Sequence, residues 1–344
     1  MKSILVLGAT GNVGNEIFKK LLNEGYDIIG TTKTIDKVED KIFFLEIDNN
    51  GELYEYISNF DIVINCIGPS YKYKNKIISI SNELGKDYID IYGGHILEKY
   101  LEESVNNVSI INAGCEPGIT GILLKKFRHY FTNYDARINI LSGGYELGGY
   151  AAFADIILSS VNGYNKNDYY IRDGDILREN FKNIIKLKNR EGVECNYRLY
   201  LTKEIERFVI NYNVKNISSY RMTNKKVDEI VRNACIELIK LGNLEKIGNV
   251  EDIIYEAYIK IKKILFKGEF CIKTELFIQN RLQENIELSC KNTSSLIAVL
   301  ILFLVKKLCK NEITKGGYWA FEILDYGEFI DELLKFNNIV QISF

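Results

Sequence analysis

A glycine pattern near the start of the chain limits the fold more than any other feature of the sequence. Residues 8–14 read GATGNVG, with G-x-x-G-x-x-G spacing, between an apolar run at 4–7 and a helical pattern at 12–23. In this strand–turn–helix context the first glycine permits a tight turn. The second lets the backbone approach a pyrophosphate, and the third allows the helix to pack closely on the strand. The helix N-terminus would add N–H donors and partial positive charge. We therefore predict a dinucleotide-binding loop, with a purely structural turn as the alternative, formed by Gly8, Thr10, Gly11, Asn12, Val13 and Gly14.

Alternating strand and helix patterns continue through the first third of the chain. Short apolar strands joined by helices are typical of a parallel sheet that is covered on both faces. The predicted fold class is therefore α/β, with a Rossmann-type doubly wound parallel sheet. Beyond the run at 4–7, the apolar runs that predict its strands lie at 26–32, 42–47, 61–67, 88–91 and 108–112, and helical patterns lie at 53–57 and 75–84.

The pattern changes after residue 118. Helical spacing recurs at 119–127, 227–241 and 253–265, and the run 270–279 alternates in part between apolar and polar residues. Partial alternation of this kind favours an antiparallel or mixed sheet with one buried face. We predict three segments: a dinucleotide-binding domain at 1–118, an α+β domain at 119–291, and a C-terminal segment at 292–344 that returns to the first domain.

Composition argues against several classes of protein. Hydrophobic residues make up 47% and charged residues 26%, and the net charge of −2 gives no electrostatic signature of a nucleic-acid or membrane-surface binder. The seven cysteines lack paired spacing, which argues against a metal site and against disulfides. We therefore expect reduced thiols and a cytoplasmic location. The apolar run at 296–305 is far shorter than the roughly 20 residues that span a bilayer, so it predicts a buried helix.

The end of the second predicted strand indicates which cofactor is bound. NAD sites place an acid there to hold the ribose 2′-hydroxyl, whereas this chain reads GTTKT at 30–34. Thr32 and Lys33 would suit a 2′-phosphate through charge-assisted hydrogen bonds, so we predict NADP(H) rather than NAD(H). The alternative is that Lys33 is an ordinary solvated lysine. Asp48, after the third strand, is a candidate contact to the adenine and equally a candidate loop cap.

The chain has two prolines, and both fall in strand-end loops. Pro69 follows the fourth strand and Pro117 follows the sixth. Ligands of doubly wound sheets bind beyond the carboxyl ends of the strands, so both loops belong to one predicted cleft. Rigid turns are the simpler explanation of each proline. We predict that the nicotinamide end of the cofactor lies against Cys66, Ile67, Gly68 and Pro69.

A histidine lies on the same predicted edge, after the fifth strand. His95 ends the segment IYGGH at 91–95, and the ordinary pKa of a histidine, about 6.5, suits proton transfer during catalysis. A loop that caps the following helix is the alternative. Tyr71 is the second candidate proton donor. The substrate pocket would be lined by Tyr92, Cys115 and Glu116.

Four segments together resemble the saccharopine dehydrogenase-like oxidoreductases: GATGNVG at 8–14, DIVINCIGP at 61–69, GKDYIDIYGG at 85–94 and NAGCEPGITGIL at 112–123. GGY at 143–145 and GEFCIKTELF at 268–277 are looser matches in the right order. The resemblance implies a Rossmann domain with an inserted α+β domain for substrate binding and dimerisation, and hence a homodimer. It also implies hydride transfer between a nicotinamide cofactor and a small-molecule imine or related carbonyl substrate. Arg221, in the second domain, becomes a candidate substrate contact.

Other classes of protein remain open on the sequence alone. A short-chain dehydrogenase needs Tyr-x-x-x-Lys near the cofactor, and the match in this chain is Tyr258–Lys262, far into the second predicted domain. A non-catalytic NADP-binding sensor would keep the glycine loop and lack the proton donor. A scaffold protein would bind no cofactor at all. Consumption of NADPH with an imine or keto substrate would separate an enzyme from the last two.

Overall fold

The computed structural model shows two compact units of the chain. The first comprises Met1–Ile122 and Asn292–Ile339, and the second comprises Leu123–Lys291 and Val340–Phe344. The predicted C-terminal segment therefore divides, because its last five residues, 340–344, lie in the second unit. Tyr145 and Gly268, which end and begin two of the looser motifs, lie outside the described residues. The described residues are 2–144, 148–179, 184–188, 192–241, 247–264, 269–336 and 338–344.

The secondary structure of the described residues alternates between strands and helices in the first unit and is mixed in the second. The strands are β1 Ile4–Leu7, β2 Ile28–Thr32, β3 Ile42–Phe44, β4 Ile62–Asn65, β5 Asp87–Asp90, β6 Val108–Ile111, β7 Ala136–Gly143, β8 Lys166–Asn167, β9 Tyr169–Arg172, β10 Asp175–Arg178, β11 Ile185–Lys188, β12 Glu194–Leu201, β13 Ile217–Thr223, β14 Phe270–Ile278, β15 Arg281–Cys290, β16 Gly316–Trp319 and β17 Val340–Ser343. The α-helices are α1 Asn12–Asn23, α2 Asn50–Ser58, α3 Ser70–Glu83, α4 Gly94–Leu97, α5 Ile119–Leu124, α6 Tyr150–Val161, α7 Lys203–Tyr212, α8 Lys225–Leu241, α9 Ile247–Lys262, α10 Thr293–Cys309, α11 Ala320–Ile323 and α12 Tyr326–Leu334. Short 3₁₀ helices lie at Ile35–Lys37, Glu98–Glu103 and Lys125–Tyr130.

The sheet of the first unit is parallel throughout its described part. Its strand order is β16-β6-β5-β4-β1-β2-β3, and every neighbouring pair runs in the same direction. The predicted doubly wound α/β fold is confirmed. The strand order reverses at β1, because β2 and β3 lie on one side of it and β4, β5 and β6 on the other. In this architecture such a switch point is where ligands bind.

Local sequence explains where the first elements begin and end. Strand β1 and helix α1 have the predicted bounds, because an apolar run meets the glycine loop and an amphipathic stretch follows it. Strand β4 ends at Asn65 rather than at the predicted residue 67, and α3 begins at Ser70 rather than at 75. Pro69 directly precedes α3 with φ −73° and ψ 156°, an extended conformation that suits the residue before a helix.

The most apolar stretch of the chain forms the buried helix α10 of the first unit. The side chain of Asn292 caps it by accepting the N–H of Ser294 at 2.9 Å, and Lys306 and Lys307 lie in its last turn. It packs against α1, where the Ser295 hydroxyl donates to the Glu16 carboxylate at 2.6 Å. The predicted buried helix is confirmed. Across the described part of the chain, every helix is too short or too polar to cross a membrane.

The second unit is built on a mixed sheet. Its main path runs β10-β9-β13-β7-β14-β15-β17, with β8, β11 and β12 paired beside it. Strand β7 pairs parallel with β13 and antiparallel with β14. Residues along β7 alternate strictly between buried and half-buried, so one face of the sheet is covered and the other is partly open. The predicted α+β character of this part is confirmed, although the helical pattern at 119–127 divides into α5 and a 3₁₀ helix.

Candidate functional site

Four loops of the first unit meet at one edge of its sheet. They follow β1, β4, β5 and β6, which are neighbours in the order β6-β5-β4-β1. Because these strands are parallel, their carboxyl ends lie on the same side. The loops are residues 8–11, 66–69, 91–93 and 112–118. The edge is therefore the candidate site of the first unit.

The glycine loop has the conformation that a phosphate site requires. Gly8 has φ +80°, in the left-handed region that glycine adopts without strain. A Cβ on Gly14 would lie 2.1 Å from the Gly8 carbonyl oxygen, so close packing of α1 on the loop depends on glycine there. Gly11 has no side chain to cap α1, and the first turn of this described helix contains no acidic residue. The N–H groups of that turn are therefore available to an anion.

The end of β2 is shaped by two threonines. The Thr10 and Thr32 hydroxyls lie 2.9 Å apart, and Thr32 Oγ1 also accepts the N–H of Thr34 at 3.2 Å. Thr32 is buried, so its hydroxyl ties the glycine loop to β2. Lys33 is exposed beside it. The exposed Asp48 lies after β3, just before α2.

The loop after β4 lies directly against the glycine loop. A Cβ on Gly8 would meet Ile67 Cγ1 at 3.1 Å and the Cys66 carbonyl at 3.4 Å. The Gly68–Pro69 peptide is cis, and Pro69 is buried. Burial, and then the charge of Asp90, raise the pKa of the Cys66 thiol to about 12, so it stays protonated at neutral pH. The thiol therefore has no nucleophilic character here.

A buried ion pair lies beneath the loops that follow β4 and β5. Lys74 Nζ on α3 lies 2.6 Å from Asp90 Oδ1 at the end of β5, and the two side chains are 2% and 0% exposed. The other oxygen, Asp90 Oδ2, accepts the Tyr88 hydroxyl at 2.5 Å and Asn65 Nδ2 at 2.8 Å. Burial, followed by the Asp90 charge, raises the pKa of Tyr88 well above its usual value.

Sequence reasoning missed this pair, although a signal was present. Asp90 interrupts the apolar strand pattern of β5, and a buried carboxylate needs a partner. Lys74 lies on the same helical face as Ile77, Ile78 and Ser81, all of which are buried. A lysine on the core-facing side of a helix, together with an acid within an apolar strand, predicts a buried pair.

His95 lies on the short helix α4 and is half-buried. Burial, and then the Lys74 ammonium, lower its pKa to about 4, so the imidazole is neutral at pH 7. Its ring centroid is 5.9 Å from that of Tyr92, with the planes tilted by 55°. A neutral imidazole with so low a pKa can accept a hydrogen bond, but it is a weak base and is rarely protonated to act as an acid.

The loop after β6 depends on glycine at several points. Gly118 has φ +127°, and a Cβ there would lie 2.3 Å from the Gly114 carbonyl oxygen. The Glu116–Pro117 peptide is cis. The Cys115 thiol is buried and lies 3.9 Å from the carbonyl of Thr293, at the start of α10. Glu116 is half-buried.

A hydrogen bond joins the loops after β5 and β6. Asn112 adopts φ +57° and accepts the Gly94 N–H on Oδ1 at 3.0 Å. The loops after β4, β5 and β6 thus contact one another or share buried side chains. Tyr71 on α3 and Tyr92 are half-buried at this edge.

The arginine predicted as a substrate contact lies in the second unit. Arg221 on β13 stacks over the Tyr200 ring, with its guanidinium carbon 5.1 Å from the ring centroid. Arg198 pairs bidentately with Asp168 at 2.6 and 2.7 Å. Among the described residues, no group of three or more His, Cys, Asp and Glu side chains could hold a metal ion.

The comparisons with known proteins concern the same fold. Residues 4–84 match the model of the NAD dependent epimerase/dehydratase family. No curated protein matches the sequence. The apo saccharopine dehydrogenase (L-Glu forming) of Saccharomyces cerevisiae aligns over 100% of this chain and 99% of its own, with a TM-score of 0.70 and 11% identity. A meso-dapdh mutant of Clostridium tetani E88, solved with DAP, aligns over 97% and 99%, with a TM-score of 0.48 and 14% identity.

The chain therefore has the fold of saccharopine dehydrogenase over its whole length. This confirms the fold that the four motifs implied. The family match runs from β1 to the end of α3, so it covers the glycine loop and the loop after β4. At 11% sequence identity, the structural similarity shows the fold alone. The chemistry follows from the residues of the site.

Proposed function

We propose that the protein is an NAD(P)(H)-dependent oxidoreductase. The observation that carries the proposal is the glycine loop at the switch point of a doubly wound sheet, where α1 begins without a capping side chain or an acid in its first turn. The match of residues 4–84 to an NAD-dependent family supports the same class of cofactor. When bound, a nicotinamide cofactor supplies or accepts the hydride.

The residues of the first unit have separable tasks in this proposal. The N–H groups at the start of α1 would hold the pyrophosphate, because Gly11 leaves the backbone accessible and Gly14 lets α1 pack closely on the loop. Ile67, Gly68 and Pro69 would form the surface for the nicotinamide end. Tyr71 or Tyr92, both of which are half-buried, would hydrogen-bond the substrate.

The proposed cofactor is NADP(H). From Ile28 to Thr34 the chain has no acid to hold a ribose 2′-hydroxyl, and Lys33 is exposed at the end of β2. An ammonium there would bind a 2′-phosphate through a charge-assisted hydrogen bond, which is stronger than the bond it could donate to a 2′-hydroxyl. Titration of the protein with NADPH and with NADH, followed by cofactor fluorescence, tests this choice. Tighter binding of NADH would refute it.

The proposed reaction is reduction of an imine, or of a related carbonyl compound, or the reverse oxidation. The support is the fold shared with saccharopine dehydrogenase, with Arg221 as a candidate substrate contact. The test is NADPH oxidation with a panel of 2-oxo acids, each supplied with ammonium or with lysine. A panel without turnover, from a protein that binds NADPH tightly, would favour the second candidate.

That second candidate is a non-catalytic NADP-binding sensor. It is favoured by the lowered pKa of His95, about 4, because a neutral imidazole is a poor proton donor. A short-chain dehydrogenase receives no such support. Tyr258 of its Tyr-x-x-x-Lys match lies on α9 and packs edge-on against Tyr150, at 5.9 Å between ring centroids, as part of helix packing in the second unit.

We further propose a cytoplasmic homodimer. The seven cysteines are all free thiols, as expected for a reducing compartment. Ile236, Ile239 and Tyr255 on α8 and α9 are exposed, and apolar side chains of this kind are common where subunits pair. Sedimentation equilibrium would measure the association state, and a monomer at micromolar concentration would refute the dimer.

A further inference from the structure

We propose that Lys74 and Asp90 form a buried clamp that positions Tyr92 and His95 at the candidate site. Lys74 is then a positioning residue for the reaction proposed above, and this inference rests on that function. Lys74 Nζ donates to the Tyr92 carbonyl at 2.5 Å, and Asp90 Oδ1 accepts the Tyr92 N–H at 3.0 Å. Both polar groups of the Tyr92 main chain are thus bound by one ion pair.

The same network reaches the neighbouring loop. Asn65 Nδ2 donates to Asp90 Oδ2 at 2.8 Å, and Asn65 Oδ1 accepts the Ile67 N–H at 3.0 Å. One set of buried side chains therefore fixes the main chain of Ile67 after β4 and of Tyr92 after β5. These are the loops predicted for the nicotinamide end and for the substrate. Second-layer contacts of this kind determine how well a site holds its geometry.

The loop after β5 lies directly on the lysine. Gly93 has φ +118°, and a Cβ there would lie 2.8 Å from Ser70 Oγ and 3.1 Å from Lys74 Cδ. Residue 93 must therefore be glycine, because the chain passes close over the aliphatic part of the Lys74 side chain before it enters α4, which contains His95. The Lys74 charge lowers the pKa of His95, and the Tyr92 ring centroid lies 5.9 Å from that of His95.

Stability alone does not account for this pair. Taking both charges out of water costs several kcal/mol per ion, and replacing a buried pair with apolar residues is often neutral or stabilising. The pair is 2% and 0% exposed, so this argument applies in full. A buried pair that binds both main-chain polar groups of one residue instead provides directional constraints that apolar side chains cannot supply.

The test compares three variants with a matched control. Lys74→Met, Asp90→Asn and the double variant K74M/D90N remove one or both charges of the clamp. Lys2→Met is the control, because Lys2 pairs with Asp87 at 2.8 Å at the other end of the same strand, with side chains 27% and 14% exposed. Circular dichroism checks that each variant is folded.

The first readout is amide hydrogen exchange, which needs no substrate. In K74M/D90N we expect exchange of the Tyr92 amide to rise about 10²-fold or more, because its hydrogen bond and that of its carbonyl are weakened together. The amide of Val6 in β1 should stay protected, and Lys2→Met should leave Tyr92 unchanged. Unchanged Tyr92 protection in a folded K74M/D90N would overturn the proposal.

The second readout is kinetic. With the substrate pair that gives the highest rate in the panel described above, kcat of K74M/D90N should fall about 10-fold or more, because small misplacements at a reacting centre are costly. The Kd for NADPH should change much less than kcat, because the proposed pyrophosphate contacts of α1 and the glycine loop are untouched. A kcat equal to that of the wild type would overturn the positioning role. If the wild type neither binds nor oxidises NADPH, the proposed function fails, while the exchange data still decide whether the clamp exists.

Discussion

Replacement of Lys74 by methionine should destabilise the first unit far more than loss of an exposed ion pair. Methionine keeps most of the length and apolar volume of the lysine stem and removes the charge. Asp90, which is fully buried, then keeps its bonds from Tyr88, Asn65 and the Tyr92 N–H and loses its cationic partner. Removal of one partner of a buried pair costs about 3–5 kcal/mol. The half-exposed pair of Lys2 and Asp87 should contribute about 0–1 kcal/mol.

The chain supplies its own probe for this measurement. Trp319 is the single tryptophan and is fully buried in β16, the strand beside β6, so its fluorescence reports the unfolding of the first unit alone. Urea titrations of the wild type, Lys74→Met and Lys2→Met would give three free energies of unfolding to compare.

The double variant refines the same prediction. K74M/D90N removes both charges and leaves no unpaired ion buried, so its free energy of unfolding should lie closer to that of the wild type than that of Lys74→Met does. If Lys74→Met costs no more than Lys2→Met, the pair is not desolvated in solution and the reasoning fails. A double variant as unstable as Lys74→Met would mean that the cost arises from lost packing rather than from the unpaired carboxylate.

Three further predictions concern the cofactor loop and His95. Gly14→Ala should abolish NADPH binding or folding of the loop, because its Cβ would lie 2.1 Å from the Gly8 carbonyl oxygen. Gly11→Ala, whose Cβ would lie 3.4 Å from the same oxygen, should remain folded. Fluorescence titration measures NADPH binding, and circular dichroism measures folding, for both variants. Lys33→Ala should raise the Kd for NADPH about 10-fold and leave that for NADH unchanged, and equal effects on the two would refute a 2′-phosphate contact. The folded pKa of His95, about 4, lies below the unfolded value, so its neutral form should contribute stability that is complete above pH 6.5 and lost as the pH falls towards 4. His95→Gln should remove that part of the pH dependence, with the exposed His129 as an internal control in NMR titrations.

Apolar patterns in the sequence predict the described strands of the first sheet except β16. Strands β1 to β6 are marked by apolar runs of a length that suits a covered parallel sheet. Strand β16 reads GGYW and has no such run. It forms because the returning chain pairs with β6, and a Cβ on Gly317 would lie 2.4 Å from the Leu101 carbonyl oxygen. This pairing and close approach arise from tertiary packing, so they leave no periodic pattern in the local sequence.

The candidate site was predictable to the level of its loops and not to the level of its polar contacts. Strand periodicity and the switch-point rule bring the loops after β1, β4, β5 and β6 to one edge. The pairing of Lys74 with Asp90 spans 16 residues and depends on the rotation of α3 over the sheet. Local pattern does not specify that rotation, so residues that act through a buried partner were not found.

The neutral imidazole of His95 bears on which group transfers the proton in the proposed reaction. At pH 7 a group with a pKa of about 4 carries a proton only in a small fraction of molecules. It therefore cannot be the general acid that donates the proton when an imine or carbonyl compound is reduced. The same low pKa makes the imidazole a weak base in the oxidative direction, because burial and the Lys74 ammonium both oppose its protonation. Reduction would then draw its proton from Tyr71, Tyr92, Glu116 or water, while His95 orients the substrate as a hydrogen-bond acceptor. His95→Gln keeps a hydrogen-bond acceptor at this position, so kcat in each direction should fall by much less than the roughly 10²-fold expected on loss of a proton-transfer group. A loss of about 10²-fold or more in both directions would show that His95 transfers the proton, against this assignment.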